Sequence, residues 1–247
     1  MHHPARRARK LAGWLLLFAL APARLGAEQI SQTYDVYIGG LRVGEMTLSA
    51  DVGNGRYAAR GSVSDGGMTS LFFDYRYVGH VDGFADGDDR LRPLSYRSRE
   101  VEDSETTKKV RIGFAADAPD TVLLDPAPKP RRFDIDPRAQ TGAVDPLTSF
   151  VLLLRDRSAG SAPCGGVIDL FDGRRLSRIS LVPAGRDAGR IVCKGDFRRV
   201  AGFSRKKLRK RRRFPIALFL RPKPDGGAQV ESFTALTKFG TVTATRR

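Results

Sequence analysis

Polar and apolar residues alternate along most of this chain, the period-two pattern of half-buried β-strands. In QTYDVYI, Tyr34, Val36 and Ile38 alternate with polar neighbours. LRVGEMTLSADV continues the pattern, with a phase shift near Gly44 that reads as a bulge. Asn54-Gly55 then supplies two residues that tolerate positive φ, the signal of a tight hairpin turn. Tyr57, Ala59, Gly61 and Val63 alternate on the return strand, and Tyr75, Tyr77, Gly79 and Val81 on the next. LSYRSREV, KKVRIGF and TVLL are strands by the same test. GMTSLFF (Gly67–Phe73) breaks the alternation and reads as a helical turn.

One segment has a different period. DPLTSFVLLLRDR offers Asp145 as N-cap and Pro146 at the first helical position. Leu147, Phe150, Val151 and Leu154 follow at the spacing of one helical face, and Arg155 and Arg157 sit where positive charge favours a helix C-terminus. The predicted helix spans Asp145–Arg157. Strands resume in GVIDLFDGRRLSRISLV, around a turn at Asp172-Gly173, and in GRIVCKGDFRRVAG, FPIALFL, AQVESFTALT and FGTVTATRR. The pattern predicts a mainly β domain over 28–247: ten or more antiparallel strands in one curved sheet packed on one main helix.

The N-terminus changes the setting. A basic stretch with Arg6, Arg7, Arg9 and Lys10 precedes an apolar run, Leu11–Ala23, too short to span a bilayer. Small residues then lead to Ala27, the expected cleavage point, with Ala23 the alternative. Residues 1–27 are therefore read as a secretory signal peptide and the protein as periplasmic. Removing them, with five Lys/Arg and no acid, lowers the formal net charge from +16 to +11. Two cysteines remain, Cys164 and Cys193. An even count in an exported chain favours a disulfide over two buried thiols, and their wide separation argues for a structural staple rather than a redox pair.

Export also recasts RKKLRKRRR. Arg205, Lys206, Lys207, Arg209, Lys210, Arg211, Arg212 and Arg213 are eight cations in nine positions, broken by Leu208. In the cytoplasm such a run points to nucleic acid. In the envelope that partner is disfavoured, and anionic lipid or a membrane surface takes its place. The run is expected to form a solvated loop or hairpin end between GDFRRVAGF and FPIALFL, because like charges resist burial.

Reactive chemistry is sparse. Residues 28–247 hold one histidine, His80, within a strand pattern. Asp86, Asp88 and Asp89 lack the distal acidic ligand of a helix-loop-helix calcium site and read as a polar hairpin tip. Ser149 has no histidine near in sequence to activate it. No phosphate loop or nucleophile elbow is present. No cofactor, metal site or enzymatic activity is expected. Phe72, Phe73, Tyr75 and Tyr77 either line a cavity or fill the core. Two functions stay open: a binding module for an apolar or amphipathic ligand such as lipid, and a structural or interaction protein of the envelope with no ligand. Oligomeric state is not indicated.

Several motifs in order resemble a bacterial envelope family known as domain of unknown function 3108. They are YDVYIGGLRVGEM, DPLTSFVLLLR, Cys164 followed by FDGRR (Phe171–Arg175), Cys193 with RRVAG (Arg198–Gly202), and FGTVTA. The resemblance implies an exported protein whose sheet curls around a helix, similar to the half-barrel of periplasmic lipoprotein carriers. It implies no known reaction. RKKLRKRRR departs from that pattern in its basicity.

Overall fold

The computed structural model describes residues 28–66, 75–87, 90–102, 106–237 and 240–247. The expected signal peptide, the expected turn at 67–73 with Phe72 and Phe73, and Asp88 and Asp89 lie outside them.

Among the described residues thirteen antiparallel strands form one sheet. The first run is β1 (Glu28–Ile38), β2 (Leu41–Gly53), β3 (Arg56–Asp65), β4 (Tyr75–Asp86), β5 (Arg90–Glu102), β6 (Thr106–Ala115) and β7 (Ala118–Asp125). Helix α1 (Pro146–Leu154) follows, then β8 (Val167–Phe171), β9 (Leu176–Asp187) and β10 (Arg190–Ala201). Helix α2 (Arg205–Lys210) leads to β11 (Arg213–Pro222), β12 (Ala228–Thr237) and β13 (Gly240–Arg246). The order across the sheet is β7-β6-β5-β4-β3-β2-β1-β13-β12-β11-β10-β9-β8. Every neighbour is therefore a sequential hairpin partner except β1 and β13, which join the two halves with Tyr34 opposite Arg246.

The local signals are met where they were expected. Asn54 and Gly55 take φ of 54° and 72° in the β2–β3 turn. The β1–β2 ladder slips by one residue beside Gly44, leaving Val43 as the bulge. Alternation puts Met46, Leu48, Ala50 and Val52 of β2 inside, and the inner faces of β3 to β6 add Tyr57, Val81, Tyr96 and Ile112.

The sheet curls until β7 and β8 nearly meet, further round than a half-barrel. The segment 126–145 closes the seam. Gly142 donates to the Asp117 carbonyl beside β7, and Val144 exchanges backbone bonds with Asp169 and Phe171 of β8. The turn at Gly173 packs on Leu124 of β7 and Val110 of β6.

Helix α1 lies inside this nearly closed barrel, so more than one face is buried: Leu147, Thr148, Ser149, Val151, Leu153 and Leu154. It is shorter than Asp145–Arg157, because Arg155 turns to extended geometry and Arg157 pairs with Ala228 of β12. The expected apolar face needs one correction. Val151 and Leu154 are 0 % exposed, but Phe150 is 39 % exposed. Its ring faces an open apolar cavity, not a packed wall.

Burying a helix inside a sheet requires partners at both ends. The Asp145 carboxylate accepts from the Leu147 and Thr148 N–H groups at 2.9 and 3.0 Å. Its second oxygen takes the Thr148 hydroxyl, which meets Tyr57 of β3 at 2.7 Å. At the other end the Leu154 carbonyl accepts from Gln32 of β1 at 3.1 Å, and Arg157 donates to the carbonyls of Leu153 and Arg155. Cys164 and Cys193 are disulfide-bonded, tying the loop after the helix to β10. In the entropic picture a closed loop of this length contributes about 3–4 kcal/mol.

Two outcomes follow for denaturant titration. Leu154→Ala should cost about 2–5 kcal/mol, as core truncations do, and Phe150→Ala clearly less, since more than a third of that residue is already exposed. Equal losses would mean that the helix is rotated from this orientation. The second outcome concerns Asp145, whose burial pushes its pKa up to about 6. The folded state then binds its proton more tightly than the unfolded chain. The resulting stability is complete below about pH 4 and is lost as pH rises through about 6, a change on the order of 2–3 kcal/mol. In Asp145→Asn the carbonyl still caps the helix and the amide can donate to Thr148, whose proton passes to Tyr57. Wild type minus Asp145→Asn should therefore show this fall between pH 4 and 6, and a flat difference would refute it.

Candidate functional site

An apolar cavity lies inside the barrel beside α1, with a volume of about 370 Å³. Phe150 and Leu153 of α1 form one side. The sheet forms the other, with Ile179 of β9, Phe197 of β10, Phe214, Ile216 and Leu218 of β11, and Phe233 and Ala235 of β12. These positions alternate inward along their strands and stand opposite one another: Ile179 faces Phe197, Phe197 faces Phe214, and Leu218 faces Phe233. The rings of Phe197 and Phe214 meet edge-on at 6.2 Å. The helix packs on β3–β5 and on β8 and leaves the β9–β12 side open. Arg199 and Thr237, near the ends of their strands, bring polar groups to the lining at the mouth.

The mouth is built by two segments distant in sequence. In FDGRR, Phe171 is core, and the Asp172 carboxylate accepts the N–H groups of Arg174 and Arg175 at 2.9 and 2.8 Å. Burial raises the Asp172 pKa against the pull of these arginines. Arg174, with only 12 % of its side chain exposed, grips both oxygens of Asp134 and the Lys129 carbonyl. That contact lowers the Asp134 pKa to about 2. In RRVAG, Arg199 turns inward and Gly202 presses on the FDGRR backbone. A β-carbon at Gly202 would come within 2.6 Å of the Arg174 carbonyl oxygen, so only glycine permits this approach. Two motifs that the sequence offers separately thus form one structure.

The basic run sits beside this mouth, at the expected solvated hairpin end between β10 and β11. Within it Arg205–Lys210 form the helical turn α2, with Ser204 as N-cap accepting from the Lys207 N–H. Lysine and arginine are good helix formers, and the short turn lets their side chains fan into water. Arg205, Lys206, Lys207, Arg209, Lys210, Arg211, Arg212 and Arg213 are all exposed, while Leu208 is half-buried. Arg213 reaches Asp196 at 3.5 Å.

The remaining sequence candidates lie apart from the cavity. His80 is on the outer face of β4, directly opposite Arg60 and Arg97. Partial burial, then the charges of Arg97 and Arg60, lower its pKa. With those neighbours it lines a shallow polar basin on the sheet exterior. The Ser149 hydroxyl donates to the Pro146 carbonyl at 2.6 Å. Asp86 is paired with Arg92. Tyr77 faces inward on the helix side, its hydroxyl 3.0 Å from that of Tyr96. Neither Tyr75 nor Tyr77 borders the cavity. The residues that sequence reasoning missed are Arg175, Arg199 and Phe203; the paired RR motifs were the available signal.

The family described as "Protein of unknown function (DUF3108)" matches residues 33–201. The chain belongs to the DUF3108 family. The matched span runs from β1 through α1 and the disulfide to the end of β10, and contains FDGRR and all of RRVAG but its glycine. No curated protein and no solved structure matches the chain.

The strap over the seam gives a direct test. Asp134→Ala removes both carboxylate contacts to Arg174. Trypsin cleavage after Arg131 or Arg132 should accelerate about tenfold, the effect of losing a charge-assisted contact on local opening. Mass spectrometry of a digestion time course reads this, and an unchanged rate would show that the pair does not hold the strap.

Proposed function

We propose that this DUF3108 protein is an exported carrier or sensor of an amphipathic, lipid-like ligand. The carrying observation is the 370 Å³ apolar cavity on which the Phe150 ring opens. Ligand pockets commonly span about 300–1,000 Å³ with mainly apolar linings. A soluble domain gains nothing from keeping a large aromatic ring half-exposed within its own barrel, whereas a bound chain would cover it. The Cys164–Cys193 disulfide supports an oxidising compartment, in keeping with the periplasm. No step of catalysis is proposed.

The exposed cations of Arg205–Arg213 are the proposed contact with anionic membrane faces. Each Lys or Arg close to such a surface contributes about 1 kcal/mol, falling off within a Debye length. Several together would permit reversible docking beside the cavity mouth.

Two measurements test this reading. Native mass spectrometry of protein taken from envelope extracts should find bound lipid. Ala235→Phe, which places a ring in the cavity, should reduce its recovery while leaving the fold intact by circular dichroism. Repeated isolation of bare polypeptide would favour a structural role without ligand. In co-sedimentation, wild type should bind anionic vesicles at low salt and release at high salt. Replacing Lys206, Lys207, Arg209, Arg211 and Arg212 with Ser should abolish most of that binding, and equal sedimentation would remove the run from membrane attachment.

A further inference from the structure

The cations nearest the cavity are not those at the centre of the basic run. Arg175 comes from the turn between β8 and β9, Arg199 from the end of β10, and Lys207 from α2. The Arg175 and Arg199 guanidinium groups both lie over the Phe203 ring, at 5.6 and 5.4 Å from its centre. Arg199 also lies 4.8 Å from the centre of the Phe214 ring, which lines the cavity. The Arg175 and Arg199 side chains therefore meet where the apolar lining ends, and Arg199 holds the Lys207 backbone carbonyl beside them.

Their mutual repulsion is poorly offset. Arg199 donates to the backbone carbonyls of Lys207 and Arg211 at 3.1 and 2.9 Å, so its bonds fix its place without neutralising it. Asp172 is 3.9 Å from Arg175, at the outer limit of an ion pair, and its carboxylate already accepts two backbone N–H groups. Lys207 has no carboxylate partner among the described residues. Its pKa is lowered by Arg175 first, then by burial, Arg199 and Arg131. Burial and then Arg175 lower that of Arg199. Exposed cations normally relieve such repulsion by swinging apart. Here the Gly202 contact holds two of the three segments together, and Arg174 is withdrawn to Asp134.

We propose that Arg175, Arg199 and Lys207 form a headgroup site for a single-chain amphiphile with an anionic head, its tail lying in the cavity. This rests on the cavity reading above and deepens it. Guanidinium groups offer paired N–H donors that fit a carboxylate or phosphate, and Lys207 adds a point charge. A cavity of about 370 Å³ is near the lower end of the usual range, which suits one acyl chain rather than two. The site also differs in kind from the outward residues of α2: it reads one headgroup at close range, whereas they sense a surface.

The test uses two probes of equal chain length, palmitate and hexadecanol, at pH 8 and below their aggregation limits. It compares wild type with Arg175→Gln/Lys207→Gln and with a control of equal charge loss, Lys206→Gln/Lys210→Gln. Arg199 is left in place because its backbone bonds hold the hairpin. Wild type should bind palmitate at least about tenfold tighter than hexadecanol, one charge-assisted contact's worth. Arg175→Gln/Lys207→Gln should lose most of that preference with its hexadecanol affinity unchanged, which also shows that its cavity is folded. The control should keep the preference. If wild type binds both probes equally, or if the control loses the preference as fully as the site variant, the headgroup site is refuted and the cavity reading stands. If wild type binds neither, the cavity reading falls as well. Inorganic phosphate at the concentration of palmitate should not displace it; displacement would mark a free-anion site and overturn the role of the chain.

Discussion

A helix buried at both ends governs this structure. Inside a sheet, water cannot complete the orphan N–H and carbonyl groups of its first and last turns, so the chain must supply every partner. Asp145 and Thr148 do so at one end and Gln32 and Arg157 at the other; Thr148 meets Tyr57 of β3, Gln32 belongs to β1, and Arg157 pairs with Ala228 of β12. Asp156, just past the helix, binds Arg246 of β13 at 2.7 Å. These polar contacts fix how far apart the barrel walls stand. Because the nine-residue helix packs against the β3–β5 side, the remaining volume opens toward β9–β12 and becomes the cavity.

Much of this was legible in local sequence. Alternation marked the strands, Asn54-Gly55 and Asp172-Gly173 marked turns, and Asp145-Pro146 marked the helix start. Each depends on residues a few positions apart. Phe150 shows where that reading stops: helical spacing groups it with Leu147, Val151 and Leu154, but only the curvature of distant strands decides whether that arc meets a wall or a void. The basic run shows a finer limit. Its charge density marked a solvated hairpin end but not the helical turn within it, although Ser204 and a sequence of good helix formers were present to cap and propagate one.

The mouth was harder to read, since its residues come together only through tertiary structure. Arg175 and Arg199 each belong to an RR pair whose other member is engaged elsewhere. Arg174 grips the strap, and Arg198 lies on the alternate face of its strand. Nothing in the local spacing tells the two members apart. The contact of Gly202 with the Arg174–Arg175 backbone makes the distinction, and it joins positions that the sequence separates by a complete β-hairpin.

The pairing of β1 with β13 carries a consequence for how the chain reaches this form. On each side of that seam every strand pairs with its sequence neighbour, so both half-sheets can grow by adding hairpins one after another. The ladder between Tyr34 and Arg246, reinforced by Asp35 with Arg247 across a separation of 212 residues, is a closure of an entirely different range. It carries the loop-entropy cost that the hairpins avoid, and it cannot form until residues 240–246 have been made. Until then β1 presents an unpaired edge, so the completed barrel is the work of the final strand, and a vectorially emerging chain would carry two separate half-sheets up to that moment.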